Sequence, residues 1–134
     1  MMESAYFKAL APPQFVVCDD VRSEIGGKDV LAGVYPGNVI VVGRLPARIE
    51  FATWTVFRAG KGGTFDCQYR FKMEDGVATG LGRTTFSDMT VDKLTALRTK
   101  SQIDVSEPQV VEMQLRFEGE GWISARALEI VRQT

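Results

Sequence analysis

The side chains that could do chemistry are few and scattered. Asp19 and Asp20 stand side by side with Arg22 two residues on, Asp66 lies mid-chain, and Glu118 and Glu120 flank a glycine near the end. Paired carboxylates are the equipment of sugar hydrolysis, one acting as acid and the other as base or nucleophile. Acids converging at one loop end would instead suit calcium, but no DxDxD-type run is present. Adjacent strand residues point to opposite faces, so Asp19 and Asp20 cannot serve one site without a bulge. Their spacing predicts structural roles: Asp20 pairing with Arg22 on one face, Asp19 capping a turn or bonding backbone. The chain contains no histidine, which removes Ser-His-Asp and Cys-His catalysis and every His-based zinc or iron site. Its two cysteines, Cys18 and Cys67, have no metal-ligand spacing and, without an export signal, are expected to be free and buried. The sequence therefore offers no catalytic residue, no cofactor site and no metal ligand set. Asp19, Asp20, Arg22, Trp54 and Trp122 remain as candidates for an interaction or structural network.

Two glycine-rich stretches invite nucleotide readings and fail them. Gly60-Lys61-Gly62-Gly63-Thr64 has the wrong order for a phosphate loop and is followed by a strand pattern rather than a helix, so it reads as a hairpin loop. The run from Gly80 to Thr85, GLGRTT, lacks the spacing and context of a dinucleotide fingerprint.

The elements that would position these residues are strands. Residues 15–42 hold two β-rich runs about Gly26-Gly27 and a third after Pro36-Gly37-Asn38, a hairpin signal followed by a type II turn signal. With Gly26-Gly27 as the whole loop, Val21 faces Ala32, Arg22 faces Leu31 and Asp20 faces Gly33. That register sets Glu24 against Asp29, so a longer, bulged loop is the alternative. Cys18-Asp19-Asp20-Val21-Arg22, Gly27-Lys28, Leu31 and Gly33-Val34-Tyr35 together resemble the opening of an uncharacterised bacterial domain family. The resemblance implies a small β-sandwich and no particular chemistry.

Residues 48–58 are apolar on both faces, Ile49 and Phe51 on one side and Ala52, Trp54 and Val56 on the other. That predicts a central strand or a covered second face, with Trp54 in the core. Residues 65–74 alternate without a break: Phe65, Cys67, Tyr69, Phe71 and Met73 face one way, and Asp66, Gln68, Arg70, Lys72 and Glu74 the other. One face belongs to a core and the other to water. Asp75-Gly76 supplies a turn, and residues 77–87 read as a bent or edge strand. Thr90 as a cap, with Val91, Leu94 and Leu97 at helical spacing, predicts a short helix near 90–98, loop and strand being the alternative. Alternation returns from Val111 to Phe117. After Gly119-Glu120-Gly121, the pattern slips phase at Ala127-Leu128, as a bulge would make it.

Residues 1–13, ending in Ala11-Pro12-Pro13, read as a lead-in segment to one domain spanning 1–134. They carry no signal-peptide or transmembrane pattern, so the cytoplasm is expected. The fold expected is all-β: a two-sheet antiparallel sandwich, immunoglobulin-like in layout, of about seven to eight strands, with a barrel second. Trp54 lies nearer Cys67 than Cys18, so the immunoglobulin Cys-Trp-Cys spacing is absent. Net charge is −1, which gives no electrostatic footprint for nucleic acid or anionic membrane. The leading functional expectation is a non-enzymatic binding or assembly module acting through a strand edge or near Trp54 or Trp122, with a protein partner or a second copy. The alternatives are a carboxylate enzyme using Asp19, Asp20, Asp66, Glu118 or Glu120, and a calcium-dependent module.

Overall fold

The structure is a computed structural model describing residues 3–134. Its ten strands are β1 (Phe7–Cys18), β2 (Asp20–Ser23), β3 (Asp29–Ala32), β4 (Val39–Val42), β5 (Ala47–Ala59), β6 (Gly63–Lys72), β7 (Ala78–Met89), β8 (Leu94–Val105), β9 (Gln109–Phe117) and β10 (Ile123–Arg132). A 3₁₀ turn at Pro36–Asn38 is the one helical piece among the described residues. The fold is all-β. One sheet has the order β1-β5-β8, a second β4-β10-β9-β6-β7, and β2-β3 forms a separate hairpin. Every pairing is antiparallel except β4 with β10, which is parallel.

The inner faces of the two larger sheets build one core, as period-two burial requires. From β6 Phe65, Cys67, Tyr69 and Phe71 go into it, as does Met73 just beyond the strand; from β5 it receives Ile49, Phe51 and Phe57, and from β9 Val111, Met113, Leu115 and Phe117. Phe71 is fully buried and meets Phe51 edge-on at 4.9 Å between ring centres. On its inner side β5 also buries Thr53, whose hydroxyl bonds that of Thr99 at 2.6 Å, removing the cost of an unpaired buried hydroxyl.

Three expectations need correction. Residues 7–13 are strand, not lead-in: β1 pairs with β5 from Phe7 to Ala9, loops residues 10–13 out of the ladder, and resumes at Gln14. Looping out the prolines spares β5 two missing donors. Residues 90–98 contain no helix; β8 pairs with β5 without interruption from Leu94 to Val105. Helical spacing of Val91, Leu94 and Leu97 lost to burial of Leu97, Thr99, Ser101, Ile103 and Val105 at period two. The β2–β3 register is Asp20 with Ala32, Val21 with Leu31 and Ser23 with Asp29, one residue from the tight-loop pairing. Glu24 N–H donates to the Lys28 carbonyl at 2.7 Å, so the longer loop forms and Glu24 no longer faces Asp29. Pro36-Gly37 turns as read, with Gly37 at φ +67°. The β10 bulge is real but falls between Ser124 and Arg126, ahead of the Ala127-Leu128 phase change.

Cys18 and Cys67 are both buried and free. Burial pushes the Cys67 thiol up to about 12. Burial also raises Cys18, and the Asp19 and Asp20 charges add to this while the Asp20 carbonyl contact opposes it.

Two outcomes follow. Phe71→Ala should cost about 3–5 kcal/mol of the roughly 5–15 kcal/mol such a domain holds, whereas Lys72→Ala on the outer face should stay within about 0.5 kcal/mol. Urea melts giving the reverse order would invert the face assignment. Maleimide should modify neither thiol in the folded chain and both after denaturation without reductant. An intact mass showing an S–S bridge would refute this.

Candidate functional site

The candidate residues fall into two groups on opposite sheets. Asp19, Asp20, Arg22 and Trp54 belong to the first, where the β2–β3 hairpin meets the outer face of β5 and β8. Trp54 stands directly across from Arg98 of β8, and both reach Asp29 at the start of β3. The indole Nε1–H donates to Asp29 Oδ2 at 2.9 Å. Arg98 Nε and Nη2 reach the same oxygen at 2.9 and 2.8 Å, while the Ser23 hydroxyl donates to Oδ1 at 3.3 Å. The Asp29 side chain is only 9% exposed. Burial alone would raise its pKa; the Arg98 and Trp54 hydrogen bonds outweigh that and hold the carboxyl below its ordinary value. Trp54 is thus half-buried under a polar latch, neither deep core nor free anchor.

Asp19 and Asp20 have different partners. Asp20 pairs with Arg22 at 3.6 Å and also receives Lys100 at 3.4 Å. The side chain of Asp19 bonds no backbone; its Oδ1 accepts the Tyr35 hydroxyl at 2.8 Å. Its own N–H is shared between the carbonyls of Ala32 and Gly33, at 3.0 and 3.1 Å. Gly33 has φ +69°, and a Cβ there would lie 2.1 Å from Asp19 Oδ2. Asp19, Gly33 and Tyr35 therefore form one lock, and Tyr35 N–H extends it to the Val17 carbonyl at 2.9 Å. Three residues of the opening motif, Asp19, Gly33 and Tyr35, meet in this packing.

Trp122 heads the second group, on the outer face of the five-stranded sheet. The Arg70 guanidinium lies 4.0 Å from its ring centre and that of Arg116 4.7 Å, a double cation–π contact. Arg70 Nε donates to Gln114 Oε1 at 2.8 Å and Arg116 Nε to Gln68 Oε1 at 2.9 Å. Arg70, read from the alternation as a solvated side chain, is instead half-buried in this stack. Next to it lies an open depression lined by Asp66, Gln68, Arg83, Arg116, Glu118 and Glu120, among others.

Three of the five candidate acids meet there, and Asp19 and Asp20 do not. All three are already engaged. Asp66 accepts the Thr85 hydroxyl and Arg83 Nη2, each at 2.6 Å; the Thr85 bond, then Arg83, lower its pKa, which suits an anchored anion and not a proton donor. Glu118 accepts the Asp66 N–H at 3.1 Å. Glu120 holds the N-terminal segment through Ser4 Oγ at 2.6 Å and Ala5 N at 2.8 Å. Among the described residues no three His, Cys, Asp or Glu side chains gather as a metal site would need, and no helix is long and apolar enough to cross a membrane. These arrangements hold shape and charge in place. Neither protein-family models nor curated proteins include a match to the chain.

Sequence reading missed Asp29 and Arg98. Asp29 enters the sequence reading only as a like charge facing Glu24, and Arg98 is not among its candidate residues; the latch joins residues 25 and 69 positions apart, and no local signal marks it. Asp29→Asn should cost about 1–3 kcal/mol at neutral pH, the range for losing hydrogen bonds to a charged group. Because the folded-state pKa is lowered, this stability is fully present above the ordinary value of 3.8 and is lost as pH falls through the folded-state value. Urea melts of the two proteins should therefore differ by a constant amount from neutrality to about pH 5 and converge only in stronger acid. A gap unchanged at low pH would show that Asp29 acts by shape alone.

Proposed function

We propose that this chain is a non-enzymatic binding or assembly module, engaging a protein partner or a second copy of itself through a strand edge. The observation that carries this reading is the incomplete pairing of β10. Parallel β4 covers only residues 129–132, so residues 123–128 pair with β9 on one side and with no described strand on the other. An open edge of that length is a template for another chain, since its backbone donors and acceptors lack partners in the sheet. The edge is also held in position: Glu120, just before β10, ties down the N-terminal segment beside it.

The finer fold reading is a two-sheet, immunoglobulin-like sandwich. In its favour, β1-β5-β8 opposite β10-β9-β6-β7 follows the A-B-E and G-F-C-C′ orders of variable-type immunoglobulin domains, which build contact surfaces on edges and loops. The opening motif supports kinship with the bacterial domain family it resembles. Two free, buried thiols fit a reducing compartment, and we assign the chain to the cytoplasm. Nucleic acid and membrane are not among the partners proposed, given a net charge of −1.

A photo-crosslinking amino acid at exposed Ala127, on the open edge, tests this in the cells that make the chain; exposed Gln102 on the opposite sheet is the control position. A discrete adduct from position 127 and none from 102 is expected, its mass distinguishing a second copy from another protein. No adduct at 127, or the same adducts at both positions, would overturn the proposal.

A further inference from the structure

The bulge in β10 has a consequence for one side chain. Ile123 and Ser124 pair with Leu115 and Gln114, the next matched pair is Arg126 with Met113, and Ala125 is the extra residue. Directly opposed residues point the same way, and Met113 is fully buried. The bulge therefore turns Arg126 inward, where simple alternation from Ile123 would have turned it out.

Inside, the guanidinium is poorly provided for. Its Nη1 donates to the Ala125 carbonyl at 2.7 Å, and the Phe7 ring lies 5.9 Å away. Nε and Nη2 are buried without any hydrogen-bond partner. No described carboxylate forms an ion pair with Arg126. Burial lowers its pKa, as it does for a cation stripped of water and given no counter-ion. Natural proteins rarely tolerate such a group unless something else satisfies it.

The two orphaned donors are adjacent on one edge of a planar fork, the edge that takes both oxygens of a carboxylate. Arg126 lines a cavity of about 450 Å³ between the start of β1 and β10, within the roughly 300–1,000 Å³ of small-ligand sites, with Nε and Nη2 covered as the side chain stands. Phe7, Ala9, Ile123 and Ala125 give it apolar walls. Of the charged residues lining it, Lys8 is already paired with Asp92 at 3.1 Å and Glu3 forms no ion pair with Arg126, which leaves Arg126 as the unpaired cation of the site.

We propose that this cavity binds a carboxylate carried on an apolar stem, the Arg126 side chain turning so that Nε and Nη2 meet its two oxygens while the stem lies against Phe7 and Ile123. A free carboxylic acid or the C-terminal carboxylate of a peptide supplies that chemistry. The peptide case rests on the open-edge reading of β10, and the free-acid case stands without it.

Thermal melts of the whole chain test the site with hexanoate, with hexanol and hexylammonium as controls, and with a short apolar peptide as free acid and as C-terminal amide. Hexanoate, the peptide acid or both should raise the melting temperature saturably by several degrees, as ligand binding to the folded state does; the alcohol, the amine and the amide should not. A response to the peptide acid alone assigns the site to a chain terminus, and a response to hexanoate alone to a small acid. Arg126→Met should melt above wild type without ligand, because the unpaired charge is gone, and should not respond. Ala9→Trp, which fills the cavity and keeps Arg126, should melt like wild type and also not respond. A wild type that responds to neither acid, or a response that survives either substitution, overturns the proposal.

Discussion

The rest of the structure depends on a strand that can show neither face to water. β5 buries Phe51, Thr53, Thr55 and Phe57 completely on its inner side, and Ala52 and Val56 almost as fully on its outer side. The five-stranded sheet covers the inner face, and the short β2–β3 hairpin must cover the outer one. Strands of four residues make a hairpin that would be marginal alone in water. Its attachment is therefore decided by side chains: Asp29 drawn to Trp54 and Arg98, Asp20 to Lys100, and the Asp19–Gly33–Tyr35 lock at its root. The apolar demand of one strand thus accounts for the polar residues of another segment.

The same logic orders the sheet edges. Along one side β7 closes toward β8, the Ser101 hydroxyl donating to the Gly80 carbonyl at 3.1 Å. Gly80 allows that approach, since a Cβ there would stand 3.1–3.4 Å from Phe71, Ser101 and Ile103. Along the other side, closure is partial. β4 pairs with the last residues of β10 and ends, and β1 loops out four residues opposite β5. The gap between these two incomplete edges is where the Arg126 cavity lies. Its position follows from topology, because a full-length β4 would have filled it.

How much of this was legible depends on how local the determinant was. The β6 faces could be read from alternation alone, since ten residues suffice to fix a period. The double-sided character of β5 was equally visible, although not what covered its outer face. The longer loop at Gly26-Gly27 followed from the repulsion of Glu24 and Asp29. Residues 90–98 misled because three apolar residues at helical spacing overlap the start of a period-two run that continues to Val105; the longer pattern won, since β5 supplied a partner along its whole length. Pro12 and Pro13 suggested a lead-in because sequence cannot show that a strand will eject them and resume. The Asp20–Arg22 pair could be read from spacing, but Tyr35 for Asp19, Lys100 for Asp20, Asp29 for Trp54 and the two arginines beside Trp122 lie too far along the chain for any spacing rule. Arg126 drew no attention, for a single arginine in a strand is ordinary until a bulge turns it inward.

That contrast bears on where function should be sought. At the residues whose types first attracted notice the fold supplies partners: Asp19 takes the Tyr35 hydroxyl, Asp20 and Asp66 two groups each, Trp54 reaches Asp29, and Trp122 meets two guanidinium groups. A polar group satisfied by its own fold has done its work in folding, and removing it is read mainly in stability. Arg126 is different, because the bulge that directs it inward provides its Nε and Nη2 with nothing to bind. Bulges recur where a side chain must be re-aimed for a purpose other than pairing, and a part-buried cation with two donors unmet and no counter-ion is a cost the isolated chain does not recover. The simplest way to reconcile the two is an acceptor that arrives from outside, entering where β4 stops short and β1 has not yet closed.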